Sequence, residues 1–111
     1  MFTFSRYPLP ILNIAQVRNI AEEAVRENLG TGLIEDVYAE PGLDWTGNEV
    51  LDVMVVIPKG TMGKLVTGNE LVAAQRALSD RLLDRGETRF PHITYVSRTG
   101  YRRKLRAKAR F

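Results

Sequence analysis

The sequence predicts one small α+β domain in the order α-β-β-α-β, a three-stranded mixed sheet with two helices on one face, followed by a basic C-terminal tail. Three observations carry this. Two segments open with a helix-capping pattern and continue with apolar residues at helical spacing. Three others are dense in Val, Ile and Tyr between turn residues. From Arg98 onward the chain holds seven cations and no acid. Residues 1–97 therefore form the compact unit and residues 98–111 the tail.

Pro8 and Pro10 break any earlier helix, and the first begins at Asn13. The Asn13 side chain caps the following amides, Gln16 reaches back, and Leu12 with Val17 forms a hydrophobic staple. Ile14, Val17, Ile20, Ala21, Ala24 and Val25 then recur on one face, and Gly30 is placed as a left-handed stop. Leu33 to Glu40 alternates as a half-buried strand that Pro41-Gly42 should end. After the loop containing Thr46-Gly47-Asn48, Glu49 to Ile57 forms a second strand, antiparallel to the first and apolar on both faces, which marks it as central or partly covered by a partner. Thr67 and Glu70 form a second capping box, opening a helix to about Arg85 with Leu71, Ala74, Leu78 and Leu82 on its buried stripe, closed by Gly86. Phe90 to Ser97 supplies the last strand, with Pro91 near its start, where a missing amide is best tolerated. A crossover through the second helix places this strand parallel to the second.

At 111 residues, with 44% hydrophobic and 26% charged residues, the chain has an ordinary globular balance. No cysteine is present, which excludes disulfides and thiolate metal sites. No signal peptide is apparent, and the longest apolar run, Val53 to Ile57, is too short to span a bilayer. A cytoplasmic protein without a membrane partner is the expectation. The net charge of +3 conceals a division. Arg98, Arg102, Arg103, Lys104, Arg106, Lys108 and Arg110 lie in the tail, so the other 97 residues set nine cations against thirteen acids, a balance of −4.

Familiar catalytic machinery is missing. His92 is the one histidine, which rules out a multi-histidine metal site within one chain. It remains a candidate general base, although its place beside Pro91 suits a structural role better. Ser5, Ser79 and Ser97 lack a nucleophile elbow. Glu35 and Asp36, adjacent on a strand, point to opposite faces and cannot form a dyad. Asp44 and Asp52 are placed to approach across the hairpin and hold a divalent cation, but solvated turn residues are the simpler reading. No cofactor motif is present.

Lys59-Gly60-Thr61-Met62-Gly63-Lys64 is glycine-rich and basic, and its amides suit a phosphate, although the spacing is not that of a Walker loop. Gly60-Thr61-Met62-Gly63 resembles the GxxG loop of KH domains, a module that clamps nucleic-acid backbone. In that family the loop joins two helices, whereas here one helix follows a strand, and the likeness is confined to these few residues.

Two functions compete. The first is a non-enzymatic binding module that contacts nucleic acid or a ribonucleoprotein through the tail cations, aided by Lys59 and Lys64. The second is a protein–protein interaction subunit, antitoxin-like, immunity-like or an adaptor, that uses the open sheet face, with Val50, Met54 and Val56, together with Trp45. The same face admits a homodimer. A third role for the tail is to fold back on the acidic body of its own domain.

Overall fold

A computed structural model describes residues 12–61 and 67–109. The chain is α+β, with elements in the order α1 (Ile14–Leu29), β1 (Asp36–Leu43), β2 (Glu49–Val56), α2 (Gly68–Asp84), β3 (Phe90–Val96) and α3 (Arg98–Ala109). The third helix stands where the sequence predicted only a tail. The sheet order is β1-β2-β3, with β1 antiparallel and β3 parallel to β2.

Both predicted capping boxes form. The Asn13 Oδ1 accepts from the Gln16 amide at 2.9 Å, while the Gln16 side chain accepts from the Asn13 amide at 3.0 Å. Thr67 and Glu70 exchange the equivalent pair at the start of α2. Each box satisfies two amides that the first helical turn leaves unpaired. Gly30 ends α1 at φ 89° and ψ 139°, a positive-φ conformation outside both the left-handed helical and the ordinary extended regions, and a short 3-10 turn over Thr31–Leu33 follows.

That turn delays β1, which begins at Asp36 rather than Leu33. It also continues through Pro41 and Gly42 to Leu43, where the sequence suggested a stop. The reason lies in the register. Asp36 pairs with Val56, and every second residue of β1 turns its backbone toward β2. Pro41 is one of those that face away, so its missing N–H costs no ladder bond. Gly42 is accommodated because the Asp52 carboxylate fills the space that a Cβ would need.

One face of the sheet is the core. Val37, Leu51, Val53 and Val55 are buried there against Val17, Ala21, Ala24 and Val25 of α1 and Ala74, Leu78 and Leu82 of α2. Truncating Leu51 or Leu78 to Ala should cost about 2–5 kcal/mol. At the edge of this core sits a buried ion pair. Glu87 is 1% exposed and its carboxylate receives Arg89 at 2.9 Å, the Arg89 side chain being 11% exposed. Glu87 Oε1 also accepts from the Leu12 amide at 3.4 Å, and Arg89 Nη2 donates to the Leu12 carbonyl at 3.1 Å. Every member is hydrogen-bonded, as a buried charge requires.

Among the described residues no helix is long and apolar enough to cross a membrane.

Candidate functional site

The second face of the sheet is lined by the alternate residues: Asp36, Tyr38 and Glu40 on β1, Val50, Asp52, Met54 and Val56 on β2, and Phe90, His92, Thr94 and Val96 on β3. Its lower end is covered by α3. Ser97 caps that helix, its Oγ accepting from the Gly100 amide at 3.2 Å and its carbonyl from the Tyr101 amide at 2.9 Å. The first turn lies against Val96, where even a Cβ at Gly100 would meet Ser97 Oγ at 3.5 Å and Val96 Cβ at 3.6 Å, ordinary packing contacts.

Tyr101 then stacks on Tyr38, with ring centroids 4.3 Å apart and planes 7° from parallel. Arg98 completes the anchor. Its Nη1 donates to the Tyr38 hydroxyl at 3.3 Å, the same hydroxyl donates to Asp36 Oδ2 at 2.8 Å, and Arg98 Nε lies 3.6 Å from Glu35 Oε2. Asp36 also receives the Val37 amide at 2.9 Å and lies 3.5 Å from Arg18 Nη2. Burial by itself raises the Asp36 pKa, but the Tyr38 hydroxyl, the Val37 amide, Arg18 and Arg98 together bring it below its ordinary value. The Tyr38 hydroxyl and the neighbouring acids hold Arg98 more firmly protonated than usual.

The tail cations thus divide. Arg98 is spent on the acidic end of β1, the reading in which the tail folds against its own body. Arg102 and Arg103 are exposed on the next turn. Lys104, Arg106 and Lys108 continue the helix by their backbone, while Lys64 and Arg110 lie outside the described residues. Lys59 is exposed in the turn after β2, on the N-terminal side of the positive-φ Gly60 (φ 83°). Met62 and Gly63 of the GxxG loop likewise lie outside the described residues.

The proposed interface residues separate in the same way. Val50 and Val56 are buried within the chain and Met54 is half-buried, so they offer a partner little area. Trp45 is 95% exposed in the β1–β2 turn and Phe90 is 52% exposed. His92 meets Phe90 edge-on at 5.1 Å.

Asp44 organises its own turn. Its Oδ1 accepts from the Thr46 hydroxyl at 2.6 Å and from the Thr46 and Asn48 amides at 2.9 Å each. The Thr46 hydroxyl leads the lowering of its pKa, opposed by slight desolvation and aided by the two amides and by His92. Among the described residues no cluster of three or more His, Asp or Glu is placed to hold a metal.

Glu35 and Asp36 both reach toward Arg98, although alternation on a strand would have separated them. The strand begins only at Asp36, and Glu35 sits in the bend before it. Sequence reasoning missed Ser97 as a cap and Tyr38 as an anchor. A Ser just before the basic run was a readable capping signal, whereas the Tyr38–Tyr101 pairing joins positions far apart in the chain and has no local signature.

Comparison of the chain with protein-family models, with curated proteins and with solved structures finds no match.

Proposed function

We propose that the protein is a non-enzymatic module that binds nucleic acid, free or within a ribonucleoprotein, through the basic helix α3. The observation that supports this reading is the anchor. The Tyr38–Tyr101 stack and Arg98 hold the first turn of α3 on the sheet, and Arg102 and Arg103 are exposed directly beyond it. A cationic helix held at one end presents its charges from a fixed origin, which lowers the ordering cost of contacting a phosphate backbone compared with a loose arm. Its sequence carries no acid to compete for those cations. Contacts of this kind supply affinity and position rather than sequence specificity.

Fluorescence anisotropy with labelled RNA and DNA oligonucleotides across a salt series tests the proposal. Binding should weaken steeply with salt. The double substitution Arg102→Gln and Arg103→Gln should flatten the slope of log K against log salt by roughly one for each phosphate no longer neutralised. Binding that is absent at low salt, or unchanged in the double variant and in a chain ending at residue 97, rejects it. Co-purification of a protein that resists both nuclease and high salt would favour an interaction subunit, with Trp45 as its contact.

A further inference from the structure

The two edge strands differ in how their outward backbone groups are treated. On β1 these belong to Val37, Ala39 and Pro41. The Val37 amide donates to Asp36 Oδ1 at 2.9 Å, its carbonyl accepts from Arg18 Nε at 3.1 Å, and Pro41 has no N–H. Ala39 is left without a side-chain cap among the described residues, but it stands alone between the capped Val37 and the donorless Pro41, which blunts this edge against pairing with another strand.

On β3 the Val96 carbonyl accepts from the Ile57 amide at 2.8 Å, so Phe90, His92, Thr94 and Val96 turn their backbone toward β2. Pro91, Ile93 and Tyr95 face outward by alternation. Pro91 lacks a donor, and its carbonyl is taken by Gln75 Nε2 at 2.8 Å. No side chain among the described residues caps Ile93 or Tyr95. Alongside them runs a shallow groove between α2 and β3, with Leu71, Val72, Ile93 and Tyr95 as its apolar wall and Gln75, Arg76 and Ser79 as its polar lining. Val72 on its rim is 57% exposed. The Tyr95 hydroxyl is buried without a hydrogen-bond partner among the described residues, which is costly unless something completes it.

We propose that β3 pairs antiparallel with the β3 strand of a second copy of this chain, Ile93 opposite the partner's Tyr95, about a two-fold axis at Thr94. This joins the two sheets into one of six strands. Two outward-facing residues suit a second copy, because in this register each donates once and accepts once, giving four backbone hydrogen bonds with every uncapped group used. The neighbouring symmetric registers fail. Pairing Ile93 with its own counterpart sets Tyr95 against a Pro91 that has no donor and an occupied carbonyl. Pairing Tyr95 with its counterpart sets Ile93 against Ser97, beyond the end of the strand. The same symmetry keeps both α2 helices on one face and brings the two apolar Val72 rims toward each other, as an isologous interface requires.

The chain has no cysteine, so Thr94→Cys creates a single thiol at an exposed position. In this register the two copies of position 94 form a non-hydrogen-bonded pair with Cα atoms about 4.5 Å apart, within disulfide range. Light scattering and sedimentation equilibrium of the full chain should give the mass of two copies. Under diamide, the Thr94→Cys protein should cross-link roughly tenfold or more faster than a His92→Cys control on the same strand face. Val72→Asp should restore the single-copy mass with an unchanged circular-dichroism spectrum. A single-copy mass at every concentration, equal cross-linking of the two cysteine variants, or a dimer indifferent to both positions overturns the proposal. So does a single-copy protein that takes up a strand from a different protein at this edge.

Discussion

Tyr38 and Tyr101 lie ring over ring, 4.3 Å apart, and through them the last helix is fastened to the first strand. The stack bridges the two ends of the fold on the sheet face opposite the core. The Tyr38 hydroxyl draws its partners, Asp36 and Arg98, one from each side.

Tyr101→Ala should therefore loosen α3 without disturbing the core. The expected loss is about 0.5–1.5 kcal/mol beyond that of the buried area, read from the urea midpoint. Helical ellipticity should fall as the basic segment frays. Tyr101→Phe keeps the ring and should restore both.

The Glu87–Arg89 pair predicts a dependence on acid. Burial by itself raises the Glu87 pKa from its ordinary 4.5, but the bonds from the Arg89 side chain and amide, the Arg89 charge and the Leu12 amide prevail and lower it. A carboxyl with a depressed folded-state pKa contributes stability above its unfolded value, and that contribution is lost as pH falls through the folded value. Urea stability should accordingly decline below about pH 4.5, with Asp36 adding to the same slope. Glu87→Gln should flatten the decline. Glu87→Ala, which leaves Arg89 buried and unpaired, should cost about 3–5 kcal/mol at neutral pH.

Gly30 isolates backbone strain from packing. At φ 89° no other atom stands within 4 Å of where a Cβ would be. Gly30→Ala should cost about 1–3 kcal/mol from conformation alone, measurable by thermal or urea unfolding. An unchanged midpoint would show that the turn after α1 relaxes.

Asp44→Ala should open the hairpin turn locally. The Thr46 and Asn48 amides lose their shared acceptor, so their hydrogen exchange should quicken. Exchange of the Val53 and Val55 amides, in the central strand, should not.

The helices were legible because their signals are local. Asn13 with Gln16 and Thr67 with Glu70 announce each start within four residues, and the apolar spacing that follows names the buried stripe. The strands were legible in type and approximate place. The end of β1 was misjudged because Pro41-Gly42 looks like a stop until register shows that Pro41 faces outward. What could not be read were the long-range unions: Leu12 with Glu87 and Arg89, Arg18 with the Val37 carbonyl, and Arg98 with Tyr38. These depend on where strands and helices come to lie, and the residues concerned look like ordinary surface charges in isolation. The cationic character of the candidate site was plain in composition. Its division between an anchoring Arg98 and the exposed Arg102 and Arg103 was not.

The clasp at Leu12 also sets an order of assembly. The amide and carbonyl just ahead of α1 find their partners at positions 87 and 89, so a nascent chain that has already made its first helix and hairpin keeps that junction open until those residues are added. The parallel ladder to β3 and the clasp become available almost simultaneously, after the crossover helix has been made. Closure of this protein is thus a late, long-range event, and a ribosome stalled before residue 87 should display α1 and the β1–β2 hairpin as an unlatched, protease-sensitive intermediate.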